Sequence, residues 1–139
     1  MVKKGVLVTG LSGVIGGAVL EHLGDKYDLS ALNRRDIPGV NCYRADIADL
    51  NAIRQAFEGK DVVVHLAAVL SDASWEDILR TNIIGCYNVF EASRLAGVKR
   101  IIFASSGAVV MGYEKDSPYS AIVKGDYDEM SSGWPMLTA

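Results

Sequence analysis

The sequence predicts an α/β domain built on a doubly wound parallel sheet of about five strands. Three observations predict it. Short runs rich in β-branched residues alternate with helical patterns along the chain. The runs are continuously apolar, as strands are when helices cover both sheet faces. A glycine-rich segment joins the first run directly to the first helix.

The elements follow in order. Residues 5–9 (GVLVT) form a buried strand, and residues 10–17 a glycine turn. Residues 14–23 have helical spacing and stop at Gly24, a C-cap. Residues 28–32 (DLSAL) are a second strand, followed by a polar loop over 33–39 and a short third strand over 40–44. Residues 48–57 read as an amphipathic helix with Leu50, Ile53 and Phe57 on one face. Residues 61–66 (DVVVHL) are the fourth strand. The longest helical pattern runs from Asp77 to about Leu95, and residues 100–104 (RIIFA) are the fifth strand. Strands alternating with helices imply parallel pairing through crossovers. After Gly112 the pattern dissolves, so residues 1–112 read as one domain and 113–139 as an irregular loop.

Composition narrows the function classes. The chain has 139 residues, enough for one domain with a real core. Fourteen basic and 17 acidic residues give a net charge of −3, with no basic excess to recruit nucleic acid. Lys3 and Lys4 before an apolar run loosely mimic a secretory leader, but the run holds four glycines and no cleavage site follows. No segment reaches the ~20 apolar residues of a membrane span. Cys42 and Cys86 lie far apart with no Cys or His cluster, so no metal site is expected. They read as reduced thiols packed in the interior, which fits the cytoplasm.

Gly10, Gly13 and Gly16 form a G-x-x-G-x-x-G segment between a strand and a helix. In that setting the first glycine permits the turn, the second admits a pyrophosphate, and the third lets helix and strand pack closely. The helix start offers free amides to the phosphates, so Gly10, Ser12, Gly13, Val14, Ile15 and Gly16 are candidate dinucleotide contacts. A Walker A loop is excluded, because no G-K-[ST] follows. The turn reads as one of the Rossmann type; the alternative is a merely tight β–α turn. After the second strand, an acid would bind the 2′-hydroxyl of NAD, whereas arginine accommodates the 2′-phosphate of NADP. Here Asn33, Arg34 and Arg35 stand in that place and Asp36 comes only afterwards. The guanidiniums tip the balance slightly toward NADP, and Asp36 keeps NAD open.

Several motifs together resemble the extended short-chain dehydrogenase/reductase family, which contains NAD-dependent epimerases and dehydratases. Thr9 to Gly16 resembles its T-G-x-x-G-x-x-G turn. Asp46 and Ile47 resemble the acidic-hydrophobic pair beside the adenine. His65-Leu66-Ala67-Ala68 resembles a strand end that lines the cofactor. Asn82 matches an asparagine of the fourth helix; alternatively it is only a polar residue tied to backbone. Phe103-Ala104-Ser105-Ser106 resembles the fifth-strand end carrying the catalytic serine. The resemblance implies cofactor contacts from Asp46, Ile47, Leu66, Ala67, Ala68, Asn82 and Ser105. It makes Ser106 the group that bonds the reacting hydroxyl or carbonyl of a sugar-like substrate. The alternative is that both serines only turn the chain.

Within the family, Trp75 to Leu79 and the segment from Asn82 to Asn88 are most similar to the uronate dehydrogenase branch. That branch places Asn-His after its serines, where this chain has Gly107 and Ala108. The resemblance also calls for a tyrosine and a lysine four residues apart on a helix, the lysine lowering the tyrosine pKa. None of the six tyrosines here has a lysine four residues on. The chain thus reads as a family fold truncated before the last strands and the substrate lobe, inactive by itself. A non-catalytic NAD(P)-binding module is the alternative. Residues 100–104 would then be an exposed apolar edge inviting homo-oligomerisation.

Overall fold

The computed structural model describes residues 2–70 and 73–107, with Lys115, Ser120 and Gly125. The expected loop over 113–139 falls almost wholly outside them. The chain divides into two compact units, residues 1–104 and 105–139.

In the first unit, β1 (Gly5–Thr9), β2 (Asp28–Asn33), β3 (Asn41–Arg44), β4 (Val62–His65) and β5 (Arg100–Phe103) form one sheet. Its order is β3-β2-β1-β4-β5 and every pair is parallel. The strands agree with the sequence reading to within a residue or two at each end. The order reverses at β1, so the crevice of this sheet must open where β1 and β4 end.

Alternation along the central strands feeds two cores. Leu7, Leu32 and Val63 face one side and pack with Ile47, Ile53, Phe57, Val89 and Ala92. Val6, Val8, Ala31 and Val64 face the other and pack with Leu11, Val19 and Leu20. The helix α1 (Val14–Leu23) covers that second face. The first face takes α2 (Leu50–Ile53), the 3₁₀ turn Arg54–Phe57 and α4 (Cys86–Leu95).

Two helices differ from expectation. The segment 48–57 is not one helix: Asp49 caps the start of α2 by accepting the Ala52 amide, and a 3₁₀ turn follows. That tighter winding stacks residues three apart, which seats Ile53, Ala56 and Phe57 together in the core. The long helix starts earlier than Asp77, as α3 (Trp75–Ile78), because Ser74 accepts the Asp77 amide and donates to its carboxylate. A π-helical segment, Leu79–Gly85, then joins α3 to α4. Its composition is that of an ordinary helix, so spacing could not reveal it.

The cysteines also depart from the interior placement expected: Cys42 and Cys86 are only half-buried. Among the described residues β5 is, as expected, an edge strand, with Ile101, Ile102 and Phe103 all exposed. Among the described residues no helix is long and apolar enough to cross a membrane.

Phe57 is fully buried at the centre of the first core. Phe57→Ala is expected to cost about 3–5 kcal/mol in urea unfolding, through lost transfer energy plus a residual cavity. A loss below about 1 kcal/mol would mean that this core is not close-packed.

Candidate functional site

A cleft of about 340 Å³ opens at the C-terminal ends of β1, β2 and β4, where the strand order reverses. Gly10, Ser12 and Gly13 form one side. Leu32, Asn33, Arg34 and Arg35 come from the end of β2, and Ala45, Asp46 and Ile47 from the loop after β3. Leu66, Ala67 and Ala68 follow β4, and Thr81 reaches in from the π segment.

The three glycines of the turn serve three different needs. Gly10 has φ +72°, and a Cβ there would sit 2.7 Å from the Ala67 nitrogen. It is glycine both for its left-handed backbone and for the approach of the post-β4 segment. At Gly16 a Cβ would strike the Leu11 carbonyl, so this glycine lets α1 start tightly on the turn. Gly13 is different. Its backbone is extended (φ −81°, ψ 174°), and a Cβ would meet only the Gly10 carbonyl oxygen, at an ordinary 3.4 Å. Among the described residues no protein atom requires glycine there, so the space beside Gly13 is available to a ligand.

The start of α1 completes this side. Gly13 is its N-cap and offers no side-chain hydrogen bond, and no acidic residue occupies the first turn. The amides of Val14, Ile15 and Gly16 belong to that uncapped first turn, where an anion is favoured. Their side chains do not line the cleft; Val14 and Ile15 point to solvent.

The β2 end carries the charge. Arg34 and Arg35 are exposed and line the cleft. Asp36 does not: its carboxylate lies 3.7 Å from Arg44. Asn33 is buried, and its Oδ1 accepts the Leu11 amide at 3.1 Å. Asn33 therefore braces the glycine turn as well as lining the cleft.

Asp46 is already engaged. Its Oδ1 accepts the Ala48 amide, and its Oδ2 accepts from Arg80 at 2.9 Å. The backbone hydrogen bond, more than the Arg80 and Arg34 charges, holds its carboxyl below the usual carboxylate range. Ile47 packs against Gly85, where a Cβ would lie 2.6 Å from the isoleucine side chain, and its carbonyl accepts from Asn88.

The β4 end is built from hydrogen bonds to backbone. Thr9 Oγ1 accepts the amides of Leu66 and Ala67, each at 3.2 Å, and lies 2.6 Å from His65 Nδ1. His65 is buried behind the cleft wall rather than in it. It stacks on Phe103 and meets Phe90 edge-on. Burial pushes its pKa down to about 4. Asn82 does not line the cleft either. Its side-chain amide donates to the Val69 carbonyl and accepts the Val69 amide, both at 2.9 Å, so it braces the same wall.

The structure thus brings together Gly10, Ser12, Gly13, Asn33, Arg34, Arg35, Asp46, Ile47, Leu66, Ala67 and Ala68. Ser105 and Ser106 lie in the second unit and are exposed. Sequence reasoning missed Leu32, Ala45 and Thr81 in the lining, and Arg80 and Asn88 as supports. Leu32 was legible as the last apolar residue before the arginines. The others depend on contacts between elements distant in sequence.

Comparison with known proteins bears on this geometry. The family model described as NAD dependent epimerase/dehydratase matches residues 6–131. L-arabinose 1-dehydrogenase (NAD(P)(+)) of Haloferax volcanii is 38% identical over 109 residues, covering 78% of this chain and 43% of the relative. Uronate dehydrogenase of Agrobacterium fabrum is 40% identical over 115 residues, covering 79% and 43%. The crystal structure of a variant uronate dehydrogenase from Agrobacterium tumefaciens, complexed with NAD, superimposes with a TM-score of 0.68 at 40% identity, covering 74% of this chain and 41% of that one. The chain spans less than half the length of these relatives.

Substitutions should separate the glycines. Gly16→Ala is expected to cost about 1–3 kcal/mol in chemical unfolding, as overpacking does. Gly13→Ala should change stability by less than about 1 kcal/mol, since its backbone suits any residue. Equal losses would refute the distinction. Acid should also weaken the fold. The folded chain takes up the His65 proton near pH 4 and the unfolded chain near 6.5. The unfolded state holds more protons in that window, so stability falls as pH drops through it, by roughly 3 kcal/mol in all. Urea midpoints of the wild type and His65→Gln, compared across that range, check this; a slope unchanged in the variant would assign the loss to other groups.

Proposed function

This chain belongs to the NAD dependent epimerase/dehydratase family, and on that premise we propose that it forms the NAD(P)-binding part of an oxidoreductase acting on a sugar or sugar acid. The observation that carries the reading is the space at Gly13. It lies beside an uncapped helix start, at the point where the sheet order reverses, and no atom of the described residues needs it. That is a cradle a side chain would fill and a diphosphate fits.

The residues present suit a dinucleotide. The first-turn amides of α1 would hold the diphosphate and Arg34 and Arg35 the adenosine ribose, while the segment Ala45–Ile47 would flank the adenine. The segment Leu66–Ala68 would flank the rest of the molecule. When bound, the nicotinamide ring supplies hydride transfer. We assign NADP a slight preference over NAD, because both guanidiniums line the cleft while Asp36 is turned to Arg44. Sugar-like substrates are supported by the names of the similar proteins, the arabinose and uronate dehydrogenases.

Ser106 is proposed to hydrogen-bond the reacting hydroxyl or carbonyl. The 139 residues contain no tyrosine followed four positions later by lysine, so the chain by itself should not turn over. The same feature supports a second reading, a non-catalytic NAD(P)-binding module. Free cysteines without a disulfide fit a cytoplasmic setting.

Calorimetric titration with NADP and NAD tests the assignment. Both should bind, and Gly13→Val should abolish measurable binding of each while the protein stays folded. Replacing Arg34 and Arg35 with alanine should weaken NADP about tenfold or more and leave NAD within about twofold. Equal weakening would refute the 2′-phosphate role, and unchanged binding by Gly13→Val would refute the site. Robust sugar oxidation by the isolated chain would overturn the expectation of inactivity.

A further inference from the structure

Taking the cleft as the dinucleotide site proposed above, we propose that His65 is a positioning residue for its wall. Its Nδ1 accepts a hydrogen bond from the Thr9 hydroxyl and so leaves both Thr9 lone pairs to the amides of Leu66 and Ala67. The proton count leads to this. A hydroxyl has one proton and two lone pairs. Thr9 Oγ1 lies 3.2 Å from both amides, and each amide can only donate. With both lone pairs taken, the hydroxyl proton must point to His65 Nδ1, 2.6 Å away. Nδ1 is then an acceptor, and the neutral ring carries its hydrogen on Nε2.

The surroundings support a neutral ring. β1 presents Thr9, α4 presents Phe90 and β5 presents Phe103, and none of these brings a charge or titrates in acid. Among the described residues burial alone accounts for the low proton affinity, with no charged neighbour contributing.

The arrangement reaches the cleft through Ala67. The Leu66 amide has a second acceptor in the Thr9 carbonyl, at 3.1 Å, whereas the Ala67 amide has Thr9 Oγ1. Ala67 lies directly against Gly10, the first glycine of the turn. Adding a proton to Nδ1 would turn it into a third donor facing an oxygen with no free lone pair. Thr9 would also lose the acceptor for its own proton. One of the Oγ1 contacts must then lengthen; Leu66 keeps the Thr9 carbonyl, so it is displacement of the Ala67 amide that loosens the wall opposite Gly10.

The test uses the full chain. Ring-nitrogen NMR should show hydrogen on Nε2 and none on Nδ1 at neutral pH. On acidification the Ala67 amide shift should follow His65 titration near pH 4. Calorimetry should show affinity for NADP or NAD falling about tenfold across the same step, as for one lost hydrogen bond. His65→Gln, whose carbonyl oxygen can accept the Thr9 proton, should keep neutral-pH affinity within about threefold and lose the acid step. His65→Phe should weaken binding about tenfold at neutral pH. A ring protonated on Nδ1 at neutral pH, or an Ala67 amide indifferent to His65 titration, would overturn the proposal. If the wild type binds neither cofactor at any pH, the dinucleotide reading fails, and the two NMR results still decide the role of His65.

Discussion

The site depends on one close approach. The turn after β1 and the segment after β4 meet backbone to backbone, with Gly10 against Ala67 and no room for a Cβ between them. Parallel pairing of β1 with β4 brings these ends side by side, and the reversal of strand order keeps a crossing connection from covering them. Thr9 secures the approach from below by accepting both amides of the facing segment. Asn33 secures it from the other flank through the Leu11 amide. Each bond ties a strand end to its neighbour's loop, so the cleft's shape is inherited from the sheet.

The π segment is the second organising element. Arg80 bonds Asp46, Thr81 lines the cleft, and Asn82 bonds Val69, three consecutive residues serving two walls and the space between. Gly85 then lets Ile47 press onto the helix at the end of the segment. Contacts at both ends thus tie this rare backbone form to the walls of the cleft.

Much of this was legible in the sequence. Continuous apolar strands and the glycine spacing depend on residue type and near neighbours, so the sheet and the turn emerged with nearly the observed bounds. The arginines after β2 were legible for the same reason, since they directly follow a strand whose end had to face the crevice. For Asn82 the alternative of a polar residue tied to backbone is the one the fold shows, but its partner was not legible. Its two bonds go to Val69, thirteen residues away across a loop, and composition carries no trace of that. The 3₁₀ turn at Arg54–Phe57 was missed because Ile53 and Phe57 satisfy α-helical spacing equally well.

By itself, the sequence determined the element order, the parallel sheet, the glycine turn and the charge at the end of β2. These are local matters, governed by side-chain shape and backbone freedom. Only the tertiary structure decided which groups remain available to a ligand. Asp46, Asn82 and His65 all look like candidate contacts in one dimension. In three dimensions each is committed to a protein partner, Arg80, Val69 and Thr9 respectively. Gly13 is the converse case, a glycine among others in the sequence that lines the cleft and whose Cβ position the fold leaves open. Hydrogen-bonding capacity is finite, and only assembled neighbours show how much of it the protein has already used.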